Sequence, residues 1–281
     1  MNKNLNREFI WHLLYQESLI NAALDTDIDE KNLKALMFHT TKFEKILTGA
    51  LSHRERKCVC PICDKKFYAY LPFGEIPRKG AQCPNCKSLE RHRALFLILK
   101  SLELNFNGKK ILHFAPEPIF YKIFSSIPDV DYYPVDLHPQ AFGLKMRKAV
   151  DITDITFDDN TFDLIICNHV LEHIPDDKKA MNELYRVLKP DEGIAMLTVP
   201  IDNTLQKTFE NPAYNTPELR LKYFGQCDHV RRYGLDYADR LKIAGFFVQE
   251  VIMEKFFNDK DLNKFGLSKS AKYHVCRKLI D

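Results

Sequence analysis

The chain has 281 residues, of which 45% are hydrophobic and 28% are charged, a composition that is ordinary for a water-soluble globular protein. This length allows one large domain or two of ordinary size, and it can bury a core without disulfide bonds. The formal net charge of +3 argues against a dedicated nucleic-acid-binding protein, which usually carries a strongly basic surface.

The amino-terminal residues 1–57 carry apolar residues at helical spacing and predict two helices with a turn near Asp25–Asp29. Such periodic apolar stripes favour a packing role for this region. The first residues lack the apolar stretch and the small-residue cleavage site of a secretory signal. No apolar run approaches the roughly 20 residues that a membrane span needs. These observations predict a cytoplasmic protein without a membrane span.

Residues 58–93 contain clustered cysteines whose spacing predicts a metal site. Cys60 and Cys63 form one CxxC pair, and Cys83 and Cys86 form a second, with nineteen residues between the pairs. In a large, apparently cytoplasmic chain such clusters indicate metal ligands rather than disulfides. Four thiolates complete a tetrahedral zinc site with no open position, so we predict structural zinc. A redox role for one CxxC pair is the alternative, but it does not explain two matched pairs.

The same region is locally basic. Between Cys60 and Arg93 the sequence has seven Lys or Arg residues and three Asp or Glu residues. This patch either attracts a phosphate-bearing partner or is ordinary solvated surface. A helix is predicted to follow, with Ser88 as its N-cap and its end before Asn107-Gly108.

From residue 110 onward, short apolar runs alternate with amphipathic segments, which predicts a parallel sheet covered by helices. The predicted strands are Ile111–Phe114, Tyr132–Val135, Lys148–Val150, Leu164–Cys167, Ile194–Val199, Phe246–Val251 and Tyr273–Lys278. The predicted helices lie near residues 118–127, 138–147, 176–189 and 236–244. Ligands of such sheets bind beyond the carboxyl ends of the strands, so the residues that follow each run are candidate site residues.

Acidic residues follow the second and third of these strands. Asp136 could accept hydrogen bonds from both hydroxyls of a ribose, and Asp151 could accept one from the exocyclic amine of adenine. Together the two carboxylates describe a nucleoside that lies across the strand ends. Either aspartate alone is more simply explained as a helix N-cap.

Five features in chain order resemble the class I S-adenosylmethionine-dependent methyltransferases, over about residues 111–279. They are the first strand with its loop, Asp136, the Asp151-Ile152 pair, FDLIICNHVLEHIPD and ELYRVLKPDEGIAMLTVP. The CPxC pairs that lead into Ser88–Arg93 resemble a bacterial subgroup with a zinc ribbon. The resemblance implies an α/β fold with a Rossmann-like, mostly parallel seven-stranded sheet whose last strand is antiparallel. A helical segment (1–57) and the ribbon (58–93) would precede a catalytic domain at 94–281.

The resemblance also implies which residues hold S-adenosylmethionine. They are Phe114, Ala115, Pro116, Glu117, Asp136, Leu137, Asp151, Ile152, Asn168 and His169, the last two near the methionine end. The first loop departs from the family, because it reads HFAPEP where a glycine-rich run is usual. Glycines let the backbone approach a ligand closely, and prolines remove backbone donors. The loop is therefore either a subgroup variant or a sign of weakened binding.

Three polar residues after the fifth strand are candidates for catalysis. His229, Arg231 and Tyr233 are spaced two residues apart, so an extended segment would place them on one side. We predict His229 as the general base for an acceptor hydroxyl, with Arg231 holding a phosphate or carboxylate and Tyr233 positioning the acceptor. A structural polar loop is the alternative, and His169 and His173 are rival bases.

These observations leave three hypotheses about function. The first is a methyltransferase that acts on a small molecule or a glycan, for example a precursor of a surface polysaccharide. The second is an RNA methyltransferase whose zinc ribbon grips nucleic acid, which the basic patch supports and the near-neutral total charge opposes. The third is a non-catalytic binding protein with a degenerate cofactor loop.

Overall fold

The computed structural model describes residues 57–67, 69–74, 78–140 and 143–280. The two helices predicted within residues 1–57 therefore lie outside the described residues. The described residues divide into two compact units. The first comprises the residues up to Leu102 together with Phe257–Lys269, and the second comprises Glu103–Phe256 and the residues from Ser270 onward. The domain boundaries near residues 57 and 93 remain predictions.

The described residues form short strands and two helices in the first unit, and strands alternating with helices in the second. The strands are β1 (Cys58–Val59), β2 (Lys66–Phe67), β3 (Leu71–Phe73), β4 (Arg78–Gln82), β5 (Lys110–Phe114), β6 (Asp131–Asp136), β7 (Lys148–Ala149), β8 (Leu164–Asn168), β9 (Ile194–Thr198), β10 (Phe209–Glu210), β11 (Arg231–Arg232), β12 (Phe247–Ile252) and β13 (Lys272–Arg277). The helices are α1 (Glu90–Ser101), α2 (Pro118–Ser125), α3 (Asp177–Val187), α4 (Pro217–Phe224), α5 (Tyr237–Ile243), α6 (Met253–Phe256) and α7 (Asp259–Phe265), with a 3₁₀ turn at Leu171–His173.

One buried arginine connects several segments of the first unit by hydrogen bonds. β1 pairs with β2, and β3 pairs with β4, in both cases antiparallel. The guanidinium of Arg93, in α1, is fully buried and lies 3.9 Å from the centroid of the Tyr70 ring. It donates hydrogen bonds to the carbonyls of Gly80, Ala81, Ser88, Phe265 and Gly266. Because a buried charge is costly unless it is fully hydrogen-bonded, this set of acceptors explains how Arg93 is tolerated there.

The start of α1 corrects one sequence prediction. Leu89 is the N-cap residue of α1, so the assignment of that role to Ser88 was wrong. The hydroxyl of Ser88 instead lies 3.2 Å from Sγ of Cys86 and 3.5 Å from Sγ of Cys60. The hydroxyl hydrogen-bonds the sulfur cluster rather than the first amides of the helix.

The second unit is built on a seven-stranded sheet, and it confirms the predicted fold class. The strand order is β12-β13-β9-β8-β5-β6-β7. Its strands are parallel except β13, which runs antiparallel to β9 and β12. Every residue of β8 and β9 is buried. Their continuous apolar runs reflect burial on both faces, as in parallel sheets covered by helices.

The direction of chain progression reverses at the centre of this sheet. From β5 the chain proceeds through β6 to β7 at one edge, and it then returns to β8 on the other side of β5. β5 and β8 are parallel neighbours, paired from Ile111–Leu164 to Phe114–Cys167. In open α/β sheets the crevice at such a reversal is the usual place for a ligand.

One predicted helix of the second unit is absent. The stretch predicted near 138–147 contains no helix among its described residues, 138–140 and 143–147. Gly143 has a φ of 63°, a left-handed conformation that interrupts a right-handed helix. The helices predicted near 118–127, 176–189 and 236–244 are confirmed as α2, α3 and α5. In the described part of the chain, no helix combines the length and apolar character that crossing a membrane requires.

Candidate functional site

The four cysteines of the two CxxC pairs converge in the first unit. All four are free thiols, and their sulfur atoms lie within 4.8 Å of one another. Sγ of Cys60 is 3.6 Å from that of Cys86, and Sγ of Cys63 is 3.9 Å from that of Cys83. Zinc–sulfur bonds of about 2.3 Å in a tetrahedron separate the sulfurs by about 3.8 Å. The cluster therefore has the dimensions of a tetrahedral metal site.

The backbone around the two pairs has the same local geometry. The amide of Cys60 donates to the carbonyl of Lys65 at 3.0 Å, and that of Cys83 donates to the carbonyl of Ser88 at 2.8 Å. The residue four positions after each first cysteine, Asp64 or Lys87, is left-handed, with φ of 53° and 60°. This repetition is expected of two turns that present sulfurs to one ion, and it does not arise from a single redox pair.

The cysteines of the sulfur cluster can supply the thiolate form that binds a cation. A hydrogen bond from Cys83 lowers the pKa of Cys60 to about 4, and the same bond raises the pKa of Cys83. The Cys60 thiol therefore loses its proton more readily than a free cysteine does. Since thiolates are the metal-binding form of cysteine, a bound cation would displace the protons of the cluster.

The second unit has a polar network at the reversal between β5 and β8. Asn168, the last residue of β8, donates from Nδ2 to Oε1 of Glu117 at 3.3 Å. The other carboxylate oxygen of Glu117 lies 3.0 Å from Nε2 of His113, whose Nδ1 lies 2.9 Å from the Tyr132 hydroxyl. His113 is fully buried within β5. This chain of hydrogen bonds fixes the carboxylate of Glu117 at the strand ends.

Two buried oxygen atoms at these strand ends have no hydrogen-bond partner among the described residues. They are Oδ1 of Asn168 and Oγ1 of Thr198. The two residues are paired neighbours at the ends of β8 and β9. An unpartnered buried oxygen costs free energy, so a ligand with hydrogen-bond donors would be favoured here. The ammonium group of a methionine moiety has such donors, and Glu117 next to Asn168 supplies an opposite charge.

The first loop adopts the conformation that glycine usually permits, although it contains none. Ala115, directly after β5, has a φ of 45°, and its amide donates to the carbonyl of Val135 at 3.0 Å. His169, directly after β8, has a φ of 54°. The left-handed conformation costs about 1 kcal/mol or more for residues with a Cβ atom. The chain thus turns sharply away from both central strands, and alanine is the smallest side chain that can follow β5 there after glycine.

The two predicted nucleoside carboxylates lie at neighbouring strand ends. Asp136 ends β6, and its Oδ1 accepts from the amide of His138 at 2.7 Å. Asp151 follows β7, which pairs with β6 from Val135–Lys148 to Asp136–Ala149. Hydrogen bonds from the amide and hydroxyl of Thr153 lower the pKa of Asp151. Neither aspartate caps a helix, so the simpler explanation for them does not apply.

The remaining predicted cofactor residues differ in whether their side chains are exposed to solvent. The side chain of Leu137 is 54% exposed next to Asp136 and can cover a face of an adenine ring. Phe114 and Ile152 belong to the hydrophobic core, and Pro116 is buried as well. These three residues can therefore offer a ligand backbone atoms but not their side chains.

The three residues proposed for catalysis are all buried, but two of them bind protein groups. Arg231 donates to the carbonyls of Leu171, Ile174 and Pro175 and to the carboxylate of Glu210. These bonds leave the guanidinium anchored to the turn after β8. Arg231 is thus engaged in holding this turn, and its predicted role in binding an acceptor has no support from these contacts.

Tyr233 is likewise held by an internal network. It is fully buried, and its hydroxyl donates to Oδ2 of Asp177 at 2.7 Å. Asp177 also binds the guanidinium of Arg240. Burial raises the pKa of Tyr233, which keeps its hydroxyl protonated. The proposed contact of Tyr233 with an acceptor has no support from this geometry.

We expect the substitution Tyr233→Phe to lower stability rather than ligand binding. The change removes one donor to the buried Asp177, which keeps Arg240, so the free energy of unfolding should fall by about 1–2 kcal/mol. Urea unfolding measures this loss, and Tyr223→Phe is the matched control on a surface helix. Unchanged stability combined with lost turnover would return Tyr233 to the catalytic site.

The third candidate, His229, belongs to a histidine cluster next to β8. Its ring centroid lies 4.7 Å from that of His173, and Nδ1 of His169 lies 3.3 Å from Oε1 of Glu172. Burial lowers the pKa of His229, so its imidazole is neutral at pH 7 and able to accept a proton. The structure brings the rival bases of the sequence analysis into this one cluster.

Two buried residues of the site were missed from the sequence. His113 interrupts the apolar run of β5 and stands four residues before Glu117, the residue that its ring contacts. Glu172 was noted only as part of a family segment, although it is 1% exposed. A buried strand that contains one histidine was the available signal for His113, whereas the burial of Glu172 depends on tertiary contacts.

Comparison with known proteins finds matches to parts of this chain. Residues 129–196 match the family model described as a methyltransferase domain. The chain is 36% identical to demethylmenaquinone methyltransferase of Chlamydia caviae, over 44% of this chain and 51% of the relative. It is 39% identical to an uncharacterized protein of Methanocaldococcus jannaschii, over 25% of this chain and 31% of the relative. Each of these matches covers less than half of this chain.

A solved structure of similar fold is YcgJ of Bacillus subtilis, with 19% identity and a TM-score of 0.43. The match covers 66% of this chain and 99% of YcgJ. The chain spans between about a third and about half of the length of the first two curated relatives, 31% and 51%. The reaction of the whole chain is therefore a separate question.

Proposed function

We propose that the protein is an S-adenosylmethionine-dependent methyltransferase that acts on a small molecule. The observation that carries the proposal is the buried, unpartnered Oδ1 of Asn168 beside the carboxylate of Glu117 at the reversal of the sheet. An oxygen and a carboxylate together suit the ammonium group of a methionine moiety. The match of residues 129–196 to a methyltransferase domain supports the same conclusion.

In this proposal the cofactor lies across the carboxyl ends of β5 to β8. Glu117, Asn168 and His169 would hold its methionine end, and Asp136 and Asp151 would bind the ribose and adenine. Leu137 would cover the ring, while Phe114, Ala115, Pro116 and Ile152 would shape the floor through backbone and core atoms. When bound, S-adenosylmethionine supplies an electrophilic methyl group. The chain itself supplies alignment, which lowers the barrier of an in-line displacement.

The conformation of the HFAPEP loop supports a working cofactor site over a degenerate one. Ala115 adopts the left-handed conformation that a glycine would adopt, and it is anchored by its bond to Val135. Backbone strain of this kind is frequent at ligand-binding sites. We therefore favour the enzyme over the non-catalytic binding protein.

The acceptor is proposed to be a small molecule with an oxygen-bearing group. The curated relatives include methyltransferases named for demethylmenaquinone and for 2-phytyl-1,4-naphthoquinone, which supports an acceptor of that size class. A glycan precursor, suggested by the sequence, remains a second acceptor class. For an acceptor hydroxyl, the neutral imidazole of His229 is the proposed base.

The sulfur cluster of the first unit is proposed to bind structural zinc. Four converging thiols, two equivalent turns and sulfur separations of 3.6 and 3.9 Å support this assignment. Four protein ligands fill a tetrahedral site, which supports a structural role, because catalytic zinc keeps its fourth position open for water or substrate. An RNA-binding role for this unit rests only on the local basic patch.

The test is calorimetric titration of the full chain with S-adenosylmethionine, followed by incubation with candidate acceptors. We expect one binding event per chain, and a product heavier than its acceptor by one methylene group. The acceptor panel should contain a quinol, a sugar phosphate and a short RNA. Methylation of RNA alone would favour the second hypothesis, and absence of any heat or thermal shift with the cofactor would refute an enzyme.

A further inference from the structure

The buried carboxylate of Glu172 lacks an adequate partner in the second unit. Glu172 lies in the 3₁₀ turn after β8 and is 1% exposed. Its Oε1 lies 3.3 Å from Nδ1 of His169, but its Oε2 has no hydrogen-bond partner among the described residues. A buried carboxylate oxygen in this state is costly, since burial removes its hydration and nothing replaces it. The carboxylate therefore calls for a cationic partner.

Besides His169, two further histidines lie next to this carboxylate. One ligand atom each from Glu172, His173 and His229 lies within 4.8 Å of the other two. His229 comes from a distant segment, which is fixed against the turn by a hydrogen bond from the amide of Val230 to the carbonyl of Glu172 at 2.9 Å. Arg231 fastens the same segment to the carbonyl of Leu171 at 2.9 Å. Hydrogen bonds to two backbone carbonyls thus hold the segment of His229 against the turn, and neither of these bonds requires a ligand.

His173 of the cluster already has one ring nitrogen beside an oxygen. Nδ1 of His173 lies 3.3 Å from Oδ2 of Asp228. Metal-binding histidines typically donate one N–H to a carboxylate or a carbonyl, which orients the ring and leaves the other nitrogen with its lone pair. Asp228 provides such a partner for His173.

We propose that Glu172, His173 and His229 bind a divalent first-row transition-metal cation. One carboxylate and two imidazoles are a common donor set for such ions, and three protein ligands leave coordination positions open. Donors on adjacent positions of an ion with bonds of about 2.1 Å lie about 3 Å apart, so small side-chain rotations must close the cluster around the ion. The side chains of His169 and His173 are 33% and 31% exposed, so the cluster is reachable from solvent.

The proposed cation site would add to the proposed function a way of binding the methyl acceptor. Its catalytic role therefore rests on that proposed function. The cluster begins four residues after Asn168, at the carboxyl end of β8, where a methyl acceptor is expected. A cation there would bind an acceptor oxygen and lower the pKa of its hydroxyl. In that state His229 is a ligand rather than a base. Acceptors with two neighbouring oxygen atoms would suit the open positions best.

The experiment is a titration of the full chain, with its cysteine cluster loaded with zinc, by Mn²⁺ in the absence of cofactor and acceptor. Electron paramagnetic resonance counts free Mn²⁺, and calorimetry gives the affinity. We expect one Mn²⁺ per chain, and each of Glu172→Gln and His229→Gln should weaken binding by about tenfold or more. His138→Gln, at an exposed histidine after β6, is the matched control and should bind Mn²⁺ like the natural chain.

A further variant separates a metal site from a merely structural cluster. Asp228 is 60% exposed, so Asp228→Asn should fold normally, yet it should weaken Mn²⁺ binding by about tenfold through the orientation of His173. This variant and His229→Gln decide the question if Glu172→Gln does not fold. Absence of Mn²⁺ uptake by the natural chain, or equal uptake by all variants, would overturn the proposal. Because no cofactor is present, such a failure leaves the methyltransferase proposal intact, and failed cofactor binding leaves this result intact.

Discussion

Replacing Cys83 by Ser is expected to release the zinc ion that we propose for the first unit and to unfold the residues around it. The natural chain should contain about one zinc ion by elemental analysis, and the Cys83→Ser chain should contain almost none. Cys83 is fully buried, and its sulfur lies 3.9 Å from that of Cys63. A serine hydroxyl at this position cannot replace a thiolate ligand.

The expected loss of stability is large because the metal contributes directly to folding. The strands of the first unit are short, and the core around its cysteines is the small cluster of Cys60, Tyr70 and Cys83 with partly buried neighbours. Structural zinc contributes about 10–16 kcal/mol of apparent binding free energy in small domains. Without it, residues 57–89 should become sensitive to proteases. Limited proteolysis with mass spectrometry would locate the cleavage.

The control is Cys227→Ser, which makes the same chemical change at an exposed cysteine outside the cluster. This variant should retain its zinc and its resistance to proteases. A natural chain that folds without any metal, or a Cys83→Ser chain that keeps its zinc, would contradict the assignment of this site.

Replacing Asp136 by Asn is expected to weaken the binding of S-adenosylmethionine by about tenfold to a hundredfold. The proposed role of Asp136 is to accept hydrogen bonds from the ribose hydroxyls, and a bond to a charged group contributes about 1.5–3 kcal/mol. Asparagine keeps the shape and one acceptor oxygen but loses the charge. Asp136 already accepts from the amide of His138, so the loop itself should stay in place. Calorimetry with the cofactor measures the change.

The same strand offers a matched control. Asp131 is the first residue of β6, so it lies at the opposite end of this strand from Asp136. It forms an exposed ion pair with Arg147 at 2.9 Å. Such pairs contribute about 0–1 kcal/mol, so Asp131→Asn should leave both folding and cofactor affinity near those of the natural chain. If Asp136→Asn binds the cofactor as tightly as Asp131→Asn does, Asp136 has no part in holding the nucleoside.

Local patterns in the sequence were enough to predict most of the fold. The apolar run Leu164–Cys167 predicted β8, because a strand buried on both faces must be apolar throughout. The spacing of the two CxxC pairs predicted that their sulfurs converge, because each pair closes a tight turn. Such features depend on residues that are close in the chain. The helix predicted near 138–147 was wrong because its pattern of apolar residues does not show that Gly143 is left-handed.

The roles of single polar side chains were decided by contacts between distant segments. Arg231 and Tyr233 have the spacing of residues on one face of a strand, and both are indeed buried. Their partners, however, are the carbonyl of Leu171 and the carboxylate of Asp177, and no pattern within their own segment specifies these. Spacing predicts the direction of a side chain but not the group that it meets.

The sequence by itself determined the class of fold and the sulfur cluster, because the first depends on periodicity and the second on short spacing. It also indicated the strand ends where we propose that a nucleoside binds. Only the tertiary structure decided that His229 approaches Glu172, and that His113 supports Glu117. These pairs form because the packing of the sheet brings together side chains whose meeting is encoded in no single segment. A buried polar group is satisfied by whatever partner the folded chain places beside it.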